Sequence, residues 1–330
     1  MRKCLIIAIS LVLMVACILA LGWVAAGNLH PQETQPVQTS ALPVMVTVPT
    51  TLPPETTAAT EPLPEPPDMS GSTASHLFVY DVAGERLLFT QGDQNASVAP
   101  ASLTKLFTAY VALQYLEPGQ MVTVGEEAGW IEEGSSVAAV SEGCRLSVGL
   151  ILQGMLMQSG NDAAYAIAVA AGRAIEQDET LAAKPACEAF VQEMNRQLEE
   201  LGLTDTHFTN PDGIDEADHY TTPASLLQIA RLALEEPLIR EYCSLDTALV
   251  TFDSGEEYTW KNTNFLLCEE MEEFYCPEAT GLKTGSTSHA GKSLIATFKT
   301  DATTFIVGVL GCDKTEQRFE DALTLFEHYR

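Results

Sequence analysis

Pro100-Ala-Ser-Leu-Thr-Lys-Leu-Phe-Thr-Ala-Tyr-Val-Ala-Leu113 divides the chain into two kinds of patterning. Before it, His76-Leu-Phe-Val-Tyr80 and Arg86-Leu-Leu-Phe-Thr90 flank Ala83-Gly84 and read as a β-hairpin. Within it, Leu103, Leu106, Phe107, Tyr110 and Leu113 recur at helical spacing behind Pro100. Helical patterns continue over about 147–157, from just after Asn161, and around 190–201 and 224–234. The chain then returns to strands at 292–298 and 303–310, and a last helix places Phe319, Leu323, Phe326 and Tyr329 on one face. Strands at both ends with helices between them predict an α+β domain. Its antiparallel sheet is closed by both ends of the chain and flanked by helices, with a mostly helical insert.

The same stretch carries Ser102-Leu-Thr-Lys105, the first of three short motifs; Ser159-Gly-Asn161 and Lys283-Thr-Gly285 are the others. Residues three apart on a helix share a face, so Ser102 and Lys105 point into one space. A serine at a helix start also has backbone N–H groups aimed at a developing oxyanion. Lys105 accepts the serine proton only when neutral; burial and a nearby cation both favour that form, and Lys283 is the candidate cation. Ser159-Gly-Asn161 breaks two apolar helices, where Ser159 could relay a proton and Asn161 hold a substrate amide. An isolated tripeptide of this kind is ordinarily only a turn. Thr280-Gly-Leu-Lys-Thr-Gly-Ser-Thr287 suits an edge strand on which Gly285 would let a ligand backbone approach. Lys283 and Thr284 suit a carboxylate. The inventory is that of acyl transfer through a serine ester.

At the start of the chain, Arg2 and Lys3 precede an uncharged apolar run from Cys4 to Ala26, long enough to cross a bilayer. The charge placement puts the bulk of the protein outside the cytoplasm. Residues 1–27 are read as a transmembrane anchor, with a cleaved signal peptide ending near Val24-Ala25-Ala26 as the alternative. Residues 28–74 are a linker: ten of the seventeen prolines fall between Pro31 and Pro67, favouring extended conformers that bury no core. Residues 75–330 remain for one domain. A net charge of −28 argues against nucleic acid and anionic membrane as partners, which leaves the N-terminal segment as the membrane contact. Runs such as Glu269-Glu-Met-Glu-Glu273 read as exposed loop. Six cysteines lie beyond the apolar segment; Cys268 and Cys276 are the nearest pair, with free buried thiols as the alternative.

The motifs and their surroundings resemble the serine-type D-Ala-D-Ala carboxypeptidases, low-molecular-weight penicillin-binding proteins of the β-lactamase/transpeptidase-like superfamily. Pro100-Ala-Ser-Leu-Thr-Lys105 is similar to the family's nucleophile box and Met157-Gln-Ser-Gly-Asn-Asp162 to its second motif. Leu201-Gly-Leu203 through Phe208-Thr-Asn-Pro-Asp-Gly213, His219-Tyr-Thr-Thr222 and Gly281-Leu-Lys-Thr-Gly-Ser-Thr-Ser-His-Ala-Gly291 carry the resemblance further. It implies Ser102 as the acylated nucleophile, Lys105 as its base and Ser159 as the third member of the triad. It also implies Asn161, Lys283 and Thr284 as substrate contacts, and the N–H groups of Ser102 and Ser286 as an oxyanion hole. No metal or cofactor is implied. The implied partners are peptidoglycan stem peptides ending in D-Ala-D-Ala, with β-lactams as covalent inhibitors. Many such proteins carry a further β-rich domain and an amphipathic membrane helix. Here the sequence runs only to Arg330, so anchoring is expected of the N-terminal segment.

Three other readings compete. A class A β-lactamase needs a glutamate to activate deacylating water, but Glu188, Glu193, Glu199 and Glu200 read as faces of an amphipathic helix. A zinc peptidase could draw ligands from His207, Asp212, Asp215, Asp218 and His219, but no His-Glu-x-x-His is present. A non-catalytic wall-binding module would not need all three reactive side-chain sets.

Overall fold

The structure, a computed structural model, describes residues 63–330. The expected anchor or signal segment and the linker as far as residue 62 lie outside the described residues. β1 (His76–Asp81) and β2 (Arg86–Gln91) form the first hairpin, and a single 3-10 turn at Ala101–Leu103 leads into α1 (Thr104–Ala112). β3 (Met121–Thr123) pairs with β4 (Arg145–Ser147). The helical insert comes next as α2 (Val148–Met157), α3 (Asn161–Glu176), α4 (Ala183–Glu200), α5 (Pro223–Glu235) and α6 (Pro237–Ser244). A hairpin of β5 (Thr247–Thr251) and β6 (Glu257–Lys261) precedes β7 (Ala279–Thr287), β8 (Gly291–Lys299), β9 (Thr304–Cys312) and α7 (Gln317–Tyr329). Among the described residues no helix is long and apolar enough to cross a membrane.

The five-stranded antiparallel sheet runs β2-β1-β9-β8-β7, so the first hairpin closes onto the last strands. Both faces of the sheet are covered, which is why its central strands read as continuous apolar runs rather than alternating ones. Phe78, Tyr80, Ile295 and Ile306 enter a core shared with the helical insert. The opposite face, with Leu77, Val79, Leu294, Phe298 and Val307, packs on Phe319, Leu325 and Phe326 of α7. Phe78 lies opposite Gly308, whose missing side chain leaves room for the ring. α1 is buried on nearly every side and sits between sheet and insert. That position carries Ser102 and Lys105 to the centre of the molecule.

Two expectations change. The packed domain starts before Ser75: Met69 and Ala74 are buried, and Ser72 Oγ donates to Asp321 of α7 at 2.6 Å. Cys268 and Cys276 are not joined; the six cysteines among the described residues are free thiols, and Cys276 Sγ donates to Glu278 at 3.4 Å. The short β3–β4 and β5–β6 pairs were not evident from periodicity, because their strands expose alternate residues over only three to five positions.

Candidate active site

Ser102 is half-buried on the 3-10 turn, and Lys105 sits one turn later on α1 with no exposed surface. Lys105 Nζ lies 2.9 Å from Ser102 Oγ, 2.7 Å from Asn161 Oδ1 and 2.5 Å from the main-chain oxygen of Asp212. Burial pushes the Lys105 amine down to about 8, against the opposing pull of the Asp212 and Asp162 carboxylates. Sequence reading missed the third contact. It arises from the Asn210-Pro-Asp-Gly213 turn, in which Gly213 N donates to Asn210 Oδ1 at 2.8 Å. Gly213 has φ 87°, and a Cβ there would stand 1.9 Å from Ala101 O. Only glycine lets this turn close against the serine turn.

The second motif forms the connection between α2 and α3. Ser159 is 5 % exposed with φ 58°, a left-handed conformation that non-glycine residues seldom adopt. Asn161 opens α3 and supplies the link to Lys105. Among the described residues no hydrogen bond joins Ser159 to Ser102 or Lys105. The next residue, Asp162, was not foreseen as part of the site. Its carboxylate accepts from Ala138 N at 2.9 Å and Val140 N at 2.8 Å, pinning the loop that walls the cleft.

β7 forms the sheet edge beside the serine turn. Lys283 and Thr284 are 1 % and 5 % exposed. Lys283 Nζ donates to Thr284 O at 3.2 Å, and Thr284 Oγ1 lies 2.5 Å from Thr263 Oγ1. Thr263 N in turn donates to Met157 O at 3.2 Å, joining the third motif to the second. The exposed Ser286 accepts from Lys292 Nζ at 2.6 Å. Gly285 serves a different purpose from the one expected: its vacant side-chain position faces Pro100, Ala101 and Leu103 at 3.1–3.3 Å. It admits the protein's own serine turn. Arg318 of α7, also unforeseen, holds this strand from behind by donating to Gly285 O at 3.2 Å.

Burial is the main cause of the shift in both lysines, and each charge disfavours the other. Lys105 is lowered by burial. Lys283 falls well below the usual lysine range through burial and then the Lys105 charge. Lys105 has three oxygen partners whereas Lys283 has one.

A cleft of about 410 Å³ lies over these groups. Ser102, Asn161, Ser286 and residues 212–215 line it, together with 132–136 and 287–289. Lys105, Ser159, Lys283 and Thr284 are buried and do not belong to that lining. A larger hollow of about 540 Å³ shares only Ser288 and His289 with it and holds none of the three motifs. The candidate zinc ligands do not converge. His207 Nδ1 bonds Asp218 O, Asp215 holds the 287–289 turn, and both ring nitrogens of His219 are engaged by Thr209 and Thr104. Glu193 of α4 is bound by Tyr115, Arg196 and Gln197, and none of Glu188, Glu193, Glu199 and Glu200 lines the cleft.

The family model described as D-alanyl-D-alanine carboxypeptidase matches residues 63–314. The D-alanyl-D-alanine carboxypeptidase DacD of Escherichia coli is 32 % identical over 275 residues, 79 % of this chain and 63 % of that protein. DacF of Bacillus subtilis is 29 % identical, with 68 % of this chain and 54 % of that protein covered. The chain thus spans roughly three fifths of the length of these curated relatives. Among solved structures, a Streptomyces DD-transpeptidase aligns with TM-score 0.68 at 27 % identity, covering 77 % of this chain and 96 % of that one. A penicillin-binding protein of Listeria monocytogenes in an ampicillin-bound form aligns with TM-score 0.62 at 27 % identity, covering 78 % and 97 %.

Proposed function

The chain belongs to the D-alanyl-D-alanine carboxypeptidase family, and on that premise we propose that it is an exported serine hydrolase trimming the last D-Ala from peptidoglycan stem peptides. One observation carries this reading. Asn161 Oδ1 and Asp212 O can only accept hydrogen bonds, so they take both N–H groups of a neutral Lys105. The remaining lone pair then faces Ser102 Oγ, 2.9 Å away. That is the geometry of a base poised on its nucleophile.

In the proposed cycle Ser102 Oγ attacks the carbonyl of the penultimate D-Ala while its proton passes to Lys105 Nζ. The N–H groups of Ser102 and Ser286 hold the oxyanion. The terminal carboxylate meets Lys283 and Thr284. Its charge would favour the protonated form of the buried Lys283 amine. As the peptide bond breaks, the D-Ala amine takes up the transferred proton through Ser159, and water later cleaves the Ser102 ester. A β-lactam would undergo the same first step, with its ring amide opened. The N-terminal segment (Arg2 and Lys3 before the apolar run) supports placement outside the cytoplasm on a membrane anchor, with the acidic body avoiding the bilayer.

The test incubates the chain with a peptide ending in D-Ala-D-Ala and, separately, with benzylpenicillin. Release of free D-Ala and a long-lived penicilloyl mass on the Ser102 peptide are expected. Rapid turnover of the penicillin with no D-Ala released would instead make the protein a β-lactamase.

A further inference from the structure

His219 has no part in the proposed cycle, yet its imidazole is 4 % exposed and reaches the serine turn. Thr209 N donates to His219 Nδ1 at 3.0 Å, so Nδ1 is the acceptor and the ring proton sits on Nε2. Nε2 lies 3.0 Å from Thr104 Oγ1, which donates its own proton to Ala101 O at 2.9 Å. One proton assignment therefore satisfies the whole series, from Thr209 through His219 and Thr104 to Ala101. Phe208 stacks on the imidazole at 5.1 Å between centroids and fixes its plane.

The series ends where the backbone is least comfortable. Ala101 has φ 49°, a left-handed conformation its Cβ disfavours, and it immediately precedes Ser102. Such a conformation persists only where its surroundings hold it. Gly213 closes on Ala101 O from one side and the Thr104 hydroxyl from another. We infer that His219 is a positioning residue for the nucleophile, acting through Thr104 and Ala101 to hold the turn that presents Ser102 Oγ to Lys105. The inference rests on the assignment of Ser102 as nucleophile.

Burial lowers the imidazole to about 4, helped by His207 and Lys105 and opposed by Asp215. It is therefore neutral throughout the range in which Lys105 titrates. Protonation of Nδ1 would set two donors against each other at Thr209.

Acylation rate constants with a fluorescent penicillin test the inference on the full chain and on Thr104→Val, Thr104→Ser, His219→Asn and the Thr104→Val/His219→Asn double variant. Thermal midpoints are recorded in parallel. Thr104→Val keeps the side-chain shape and removes the hydroxyl, and should slow acylation roughly 10- to 100-fold. Thr104→Ser should restore the rate to within about threefold, and the double variant should be no slower than the slower single one by more than about twofold. The inflection set by Lys105 near 8 should stay in place in each variant. Multiplying losses, or a Thr104→Val chain acylated as fast as its parent, would overturn the inference. If His219→Asn does not fold, the Thr104→Val and Thr104→Ser pair decides alone. An unlabelled parent overturns the nucleophile assignment and this inference with it. A labelled parent with an equally fast Thr104→Val variant overturns only this one.

Discussion

Asn161 Oδ1 accepts from Lys105 Nζ at 2.7 Å across 56 positions of sequence, and this bond makes the second motif part of the base rather than only of the substrate pocket. An amide oxygen serves there because it orients the amine without holding a charge against it. Asn161→Asp would place a carboxylate at the same distance and favour the protonated amine. Acylation by penicillin at pH 7 should fall roughly tenfold, with the acidic limb of the profile moved up by about one unit or more. An unmoved limb would show that Asn161 does not tune Lys105.

The pH dependence of the parent stems from Lys105. Its amine is lowered to about 8, so it is neutral and competent above that pH and protonated below it. The acylation rate should climb with pH through 8 and level off, dropping about tenfold per unit on the acid side. A rate that stays constant between pH 6 and 8 contradicts the neutral-amine mechanism.

Ser102→Ala should abolish covalent labelling while the thermal midpoint moves by only a few degrees, since the hydroxyl is half-buried and fills no core. Lys105→Arg keeps a cation but supplies no neutral amine, and should lower acylation at least about a hundredfold. Labelling of the alanine variant at Ser102's peptide, or acylation of the arginine variant at the parent rate, refutes these roles.

Two glycines separate activity from stability. Gly213→Ala sets a Cβ 1.9 Å from Ala101 O at φ 87°, so acylation should be lost together with roughly 2–4 kcal/mol of stability. Gly172→Ala drives a Cβ to 1.8 Å from Ala186 O where α3 crosses α4, remote from the cleft. It should cost at least about 2–4 kcal/mol by denaturant titration, while molecules that remain folded acylate at the parent rate. A Gly172→Ala protein that is stable but unreactive would contradict this separation.

Asp215 ties the 212–215 stretch of the cleft lining to the 287–289 turn. Its carboxylate accepts from Thr287 Oγ1 at 2.6 Å, Ser288 Oγ at 3.1 Å and His289 N at 3.0 Å. Asp215→Ala frees the turn after β7 without touching Ser102 or Lys105. The expected outcome is a KM raised about three- to tenfold with kcat changed less than about twofold. A loss confined to kcat would show that the clasp acts on the chemistry itself.

Much of the fold and site was legible in the residues. The apolar period from Leu103 marked α1, the two runs about Ala83-Gly84 marked the first hairpin, and the threonine-rich run around Lys283 marked an edge strand. Ser102 and Lys105 meet because three residues of helix bring them together, a local relation. Gly285 was misread because its partner is the serine turn, more than 180 positions away. Arg318 and Asp162 were given no role in the site, and His219 was weighed only as a zinc ligand, because a buried hydrogen-bonded side chain and a solvated one look alike in a sequence.

The order of amino acids determined the helical and strand periods and the chemical inventory, a hydroxyl with an amine one turn away, because those depend on neighbours within a few positions. Packing alone decided that Lys105 is dry, that a main-chain oxygen of residue 212 and an amide from residue 161 orient it, and that Lys283 is buried beside it. Solvation and the convergence of remote backbone are properties of the assembled interior, and no local pattern encodes them.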